Sequence, residues 1–223
     1  LAAACKAENT AIVKEIRQQE KKEAAPALYD LTSLQREANR LLGYTAQQTL
    51  DYLQALYEKK LCTYPRTDSR YLTDDILPRV KEILLWASGI CNLPITDELY
   101  GEQLCNSKKV TDHHAIIPTK AASWQDVEAL PIGERNILKL ISRQVMIATS
   151  GPYCYKEADA MISCGGADFK LHLKMPQDFG WKRYTAEKKG GKWFPGLATG
   201  QALTPDTVTV KDGKTQPPKP FTE

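Results

Sequence analysis

No two of the six cysteines of this 223-residue chain stand in C-x-x-C spacing. Cys5, Cys62, Cys91, Cys105, Cys154 and Cys164 are scattered, which excludes a paired zinc-ligand pattern and leaves reduced cytosolic thiols as the expectation. Long apolar runs are missing too; none approaches the roughly 20 residues that cross a bilayer. Leu1–Lys6 lack the basic, apolar and cleavage segments of a secretory leader. A cytoplasmic protein with no membrane partner is therefore expected. No G-x-x-x-x-G-K-[ST] loop is present, so no ATP-phosphate cradle is expected. Excess charge is scarce: 30 Lys and Arg face 27 Asp and Glu, a net +3. The isoelectric point near 8.4 lies below the roughly 9 of clearly basic nucleic-acid binders. Any claim on such a partner must rest on local residues. No acidic cluster suggests a metal site, and no internal repeat is visible.

What is present suits a globular fold, with 42% hydrophobic and 26% charged residues. The start at Leu1 and the end just after the linker-like Gln216–Pro220 are expected of a piece of a longer protein. Residues 1–29 open on an alanine-rich helical stub. A strand candidate at 11–17 follows, then the charged run Glu20–Glu23, expected to be solvated. Residues 30–151 read as helical. Thr32-Ser33-Leu34-Gln35 and Thr45-Ala46-Gln47-Gln48 look like capping boxes. Leu34, Ala38, Leu41 and Leu42 form one apolar stripe, which Gly43 closes; Leu50, Leu53, Leu56 and Tyr57 form a second. Thr73 can cap a helix carrying Ile76, Val80, Ile83 and Leu84, with Gly89 as its stop. A further helix runs from about Glu134 to Ala148, and the stretch 89–132 reads as irregular. Residues 152–223 change to a β pattern: Tyr153–Tyr155, Phe169–Lys174 and Thr207–Lys211 alternate or are β-branched, with glycine turns at 165–166, 190–191 and 213.

Two segments offer chemistry. In Leu61–Arg70, proline after Tyr64 forbids helix and biases that tyrosine toward an extended backbone. Side chains two apart then point the same way, so Tyr64 and Arg66 are expected to project together. A phenol with a pKa near 10 is a poor nucleophile at neutral pH. A guanidinium beside it can stabilise the developing phenolate and neutralise a phosphate under attack, and Arg70 adds charge nearby. Taken alone, a Tyr-x-Arg triplet more often means a half-buried aromatic beside a surface ion pair. The second segment, Lys108–Thr119, holds His113 and His114. Adjacent side chains of an extended chain diverge, so the pair is not expected to chelate one metal. One histidine could contact phosphate or relay a proton, or simply be structural beside a basic loop. Tyr44, Tyr71, Trp124 and Trp181 are possible stacking platforms, though packing is the commoner role.

Leu28–Asn39, Tyr64–Leu72 and Asp112–Thr119, in that order, resemble the type IA DNA topoisomerases and, within them, the bacterial topoisomerase III branch. The resemblance implies an α+β fold in which a winged-helix-like helical domain (30–151) is inserted in a discontinuous β-rich gate domain (1–29 and 152–223). It implies an isomerase that breaks and rejoins one DNA strand through a 5′-phosphotyrosine at Tyr64, with Arg66 and His113 as further catalytic residues. DNA contacts would come from Arg66, Arg70, Lys108, Lys109 and His114. The implied partners are single-stranded DNA and the remaining domains of the same polypeptide. Mg2+ would be held outside this chain, no ATP would be consumed, and the chain alone would be inert. A non-catalytic DNA-binding module is the competing expectation.

Overall fold

A computed structural model describes residues 1–95, 99–120, 124–185 and 196–217, with 124–126 described by backbone alone. The chain forms two compact units. The first comprises Leu1–Lys21, Tyr155–Met175 and Gly190–Glu223; the second comprises Lys22–Cys154 and Pro176–Lys189.

In the first unit the alanine-rich start forms α1 (Ala2–Glu8), stopped by Asn9 in the left-handed region at φ 50°. The polar segment after it is one long strand, β1 (Ala11–Glu23). Strands β2 (Tyr153–Cys164) and β3 (Ala167–Asp178) form a hairpin whose far ends reach beyond this unit. Its turn needs positive φ at two successive positions, and Gly165 and Gly166 supply 60° and 75°. With the short β4 (Ala202–Leu203) these strands make a four-stranded sheet in the order β3-β2-β1-β4. β1 and β4 run antiparallel, Ala11 opposite Leu203. Val13, Ala158, Ala160, Leu173 and Leu197 bury one face. The charged end of β1 stays in solvent, where Lys21 pairs with Glu157 and Glu20 with Lys156. The β-branched Thr207–Lys211, expected as a strand, forms no ladder among the described residues: the ladder to β1 lasts two residues, and Pro205 lacks the donor needed to extend it. Gly190-Gly191 and Pro218–Glu223 lie outside the described residues.

The second unit is helical. α2 (Leu31–Leu42) begins two residues earlier than the expected capping box. Asp30 is the cap: its carboxylate accepts from the Ser33 amide at 2.6 Å, and the Ser33 hydroxyl accepts from the Asp30 amide. A carboxylate at a helix N-terminus gains from the backbone dipole as well as the hydrogen bond, which places Thr32 and Ser33 inside the first turn. Gly43, at φ 70°, ends α2. Thr45 and Gln48 cap α3 (Ala46–Glu58) reciprocally, as the sequence suggests. Thr73 precedes a 3-10 turn, Asp74–Arg79, and makes no side-chain cap. Pro78 within that turn delays the regular helix, so α4 spans Val80–Cys91 and runs through Gly89 to stop at Asn92. α5 (Trp124–Ala129) falls in the stretch read as irregular, and α6 covers Ile132–Ala148.

α6 is the spine of this unit. One side packs Ile137, Leu138 and Ile141 against Leu34, Ala38, Leu53 and Leu56. The other packs Val145, Met146 and Ala148 against Val80, Ile83, Leu84 and Ala87 of α4. The α2 stripe outruns this packing: Leu41 and Leu42 stay 46% and 37% exposed. Among the described residues no helix is long and apolar enough to cross a membrane.

Candidate active site

Three segments far apart in sequence meet on the second unit. The stretch 113–119 runs between two others and is bonded to both. Its Ile116 amide donates to the Tyr29 carbonyl (2.9 Å) and its Ala115 amide to the Tyr71 carbonyl (2.9 Å). At the other end the Thr63 amide donates to Ile117 and the Thr119 amide to Leu61, both at 3.0 Å. These are the backbone groups that would otherwise be stranded in buried loops. Side-chain hydroxyls complete the stitching. Thr67 Oγ1 donates to the His113 carbonyl at 2.7 Å and accepts from the Ser69 amide at 3.1 Å. The Thr67 carbonyl takes the first free amide of α2, that of Leu31. Ser69 Oγ reaches the Lys109 carbonyl at 2.9 Å, and Thr63 Oγ1 the Ala115 carbonyl at 3.2 Å.

This stitching sets where the chemical groups lie. The half-buried Tyr64 ring stands 4.2 Å, centroid to centroid, from the exposed imidazole of His113. Tyr57 meets the same tyrosine edge-on at 5.5 Å. An open depression of about 460 Å³ adjoins His113 and is lined by Arg66, Asp30, Asp68, Thr111 and Asp112 among others. Arg66 is exposed and has no carboxylate partner among the described residues. The chain bends at Thr63, Pro65 and Arg66, so strand alternation does not govern the directions of Tyr64 and Arg66. His113 is the group that touches the one and shares a depression with the other. His114 faces elsewhere: its Nδ1 lies 2.8 Å from the Ala115 carbonyl, and it lines a different hollow.

The basic residues divide. Arg70 is turned to structural use, with Nε donating to the Leu28 carbonyl at 2.9 Å and a terminal nitrogen to Ala27. Lys109 lies over the Tyr71 ring and bonds its hydroxyl at 3.1 Å, while Lys108 is exposed. Of the aromatic platforms, Tyr44 packs on Tyr52 and accepts from Asn136, and Trp181 donates to the Glu23 carbonyl. The Trp124 side chain lies outside the described residues. Cys62, two residues from Tyr64, is buried, and its thiol is pushed up to about 12. It is protonated at neutral pH and offers no competing nucleophile. Burial also raises the Tyr29 phenol, which stays neutral in the core.

Asp30, Asp68, Thr111 and Asp112 are site residues that sequence reasoning did not pick out. Asp68 accepts from the Thr111 hydroxyl at 3.3 Å. With three carboxylates around one guanidinium and one imidazole, the depression is not an electropositive trap. Among the described residues no group of three or more His, Cys, Asp or Glu is arranged to hold a metal ion.

The family model described as DNA topoisomerase matches residues 1–223. The chain belongs to the type IA DNA topoisomerases. DNA topoisomerase 3 of Bacillus licheniformis is 36% identical over 227 residues, covering 96% of this chain and 31% of that protein. Its counterpart in Bacillus subtilis is 36% identical over 228 residues, with the same coverage, and one from Bacillus cereus is 32% identical over 232. The chain thus spans about a third of the length of these curated topoisomerases. Full-length topoisomerase I from Thermotoga maritima shares the fold, with a TM-score of 0.68 over 88% of this chain and 33% of that one at 22% identity. The topoisomerase family uses Mg2+, and the donor set described above does not fit a site for it.

The Thr67 hydroxyl is the fastening most open to test. Thr67→Val leaves the His113 carbonyl and the Ser69 amide without this partner, at a cost of about 3 kcal/mol. That corresponds to a melting temperature lower by roughly 6–12 °C. Thr67→Ser keeps both bonds and loses less than half as much; equal losses in thermal unfolding would show that the hydrogen bonds are not the cause.

Proposed function

We propose that this chain is the part of a cytoplasmic type IA topoisomerase that supplies the nucleophile for single-strand DNA cleavage. The helical part, expected over residues 30–151 and compact over Lys22–Cys154 with Pro176–Lys189, is the proposed winged-helix-like domain that carries Tyr64; the gate domain, expected over 1–29 and 152–223, is assigned to the other unit. The Tyr64 hydroxyl attacks a backbone phosphorus, the P–O3′ bond breaks, and a 5′-phosphotyrosine and a free 3′-hydroxyl result. Attack by that hydroxyl reverses the step. Because the phosphotyrosine conserves the energy of the broken bond, rejoining needs no ATP. A second strand passes while the first is open, giving relaxation or decatenation.

What supports this role most is the packing of Tyr64 on His113 beside the depression that Arg66 lines. Ring packing restricts the phenol, so less orientational freedom is lost when phosphate arrives. Arg66, which forms no ion pair among the described residues, can meet a phosphate oxygen with its forked donors and stabilise charge as the bond changes hands. His113 can hold the phenol in place or bond the phosphate. Lys108, Lys109 and His114 are candidates for sequence-independent contacts with single-stranded DNA. Arg70 would act there only through its part-exposed edge, since it already donates to two carbonyls.

The leaving 3′-alkoxide needs a proton donor and neutralisation of charge. No metal-fitting cluster lies among the described residues, so those groups are assigned to other domains of the same polypeptide, with Mg2+ bound there. In an enzyme that contains this region, Tyr64→Phe should abolish covalent trapping of a single-stranded oligonucleotide while leaving its binding within about twofold. Unchanged trapping would place the nucleophile elsewhere, and a wild-type enzyme that binds but never traps would mark a DNA-binding module. The 223-residue chain alone should leave supercoiled plasmid untouched with magnesium present; relaxation by it would show that the missing groups are here.

A further inference from the structure

A second hollow, of about 510 Å³ and lined in part by His114, Ile117, Pro118 and Thr119 of the same segment, is different in character from the first. Lys60, Arg79 and Lys120 stand around it with His114, and no aspartate or glutamate lines it among the described residues. Its walls are apolar: Ile83, Ile117 and Pro118 are buried, and Ile76 and the Trp86 indole are half-buried. Thr63 and Thr119 contribute hydroxyls. The first hollow gathers three carboxylates, whereas this one gathers cations over a hydrophobic floor. Arg79 meets Glu82 only at 3.5 Å on an exposed surface, a pairing that an incoming anion can displace.

Lys60 adds an independent observation. It sits just past the end of α3 at φ 61°, in the left-handed region that favours glycine. Its carbonyl is held there by the Thr119 hydroxyl, and its amide donates to Tyr57 at 2.8 Å. A lysine in that conformation costs backbone stability, and the ammonium it brings to the rim is what glycine could not provide.

We propose that this hollow is a nucleotide subsite, with the base against Trp86 and Ile83 and the phosphate among Lys60, Arg79 and Lys120. Base stacking on an aromatic wall beside cations is the general chemistry of single-strand recognition. The volume falls within the range of small-ligand sites. Thr63 and His114, which line the hollow, are the chain neighbours of Tyr64 and His113, and the nucleotide held here is assigned to the strand that Tyr64 would attack. This rests on the strand-cleavage role proposed above and adds a second point of grip beside it.

Thymidine 5′-monophosphate is the probe, titrated into the chain while the Trp86 indole and the Ile83 and Ile117 methyl resonances are followed. These should shift saturably, and thymidine without phosphate should not move them at equal concentration. Lys60→Gly should weaken binding about tenfold while raising the unfolding midpoint, since it relieves the left-handed backbone and removes the side chain that carries the ammonium. Arg79→Gln should weaken it as well. Equal shifts with thymidine, an unchanged affinity in both variants, or shifts confined to Thr32 and Thr111 of the first hollow would overturn the subsite. Repeating the titration with Tyr64→Phe separates the two proposals. Lost trapping with no occupancy of this hollow removes the subsite alone; occupancy here with trapping retained by Tyr64→Phe removes the strand-cleavage role and leaves a nucleotide site.

Discussion

A buried threonine hydroxyl between two loops holds the candidate site together. Thr67 Oγ1 bonds the carbonyl of the residue whose imidazole rests on Tyr64, and the Thr67 carbonyl takes the leading amide of α2. Loops cannot be buried unless their polar backbone groups find partners, and here the partners come from one another. The consequence is mechanical: the tyrosine, the histidine and the start of α2 form one connected assembly, although 113 and 64 are separated by α4 and the irregular chain after it. The apolar core on both sides of α6 is the support on which this assembly rests.

Charge is distributed with a similar division of labour. Around the first hollow one guanidinium and one imidazole face three carboxylates, so attraction for phosphate is local to Arg66. Around the second, cations collect without acids among the described residues. Under the role proposed for Tyr64, a polyanionic strand would be gripped beside that tyrosine more firmly than at it. This arrangement suits transient cleavage, in which the phosphate must arrive, bond and leave.

Much of this is legible in the sequence, for identifiable reasons. Helices α3 and α6 announce themselves through the Thr45–Gln48 box and an apolar period, although in α3 only Leu53 and Leu56 of the expected stripe are buried, Tyr57 staying exposed and Thr49 going inside. Pattern alone misplaces the cap of α2, because two hydroxyl residues follow Asp30 and nothing in the pattern ranks a carboxylate above them. Thr207–Lys211 has strand composition without a strand's partner, and pairing is a tertiary fact. α5, six residues long, is too short to carry a period. At the site, Tyr64, Arg66 and His113 are visible as residue types in motifs, but strand alternation is an incomplete geometric reason for the first two. Bends at Pro65 and Arg66 replace the straight segment, and the link between them runs through His113. Thr67 is invisible in its role, since a threonine inside a charged motif looks like surface until the loop that covers it is known. Asp68 and Asp112 are exposed, and their place beside Arg66 appears only once the two loops are brought together.

Everything proposed for the site requires Tyr64 to be held against His113 in the folded chain. The most direct measurement is the nuclear Overhauser effect between the Tyr64 ring protons and the His113 ring protons in a sample labelled at those residues. Strong cross-peaks between the two rings are predicted, together with Tyr64–Tyr57 contacts. Absence of any Tyr64–His113 effect, with Tyr64 contacts instead to core residues of α3 and α6, would contradict it.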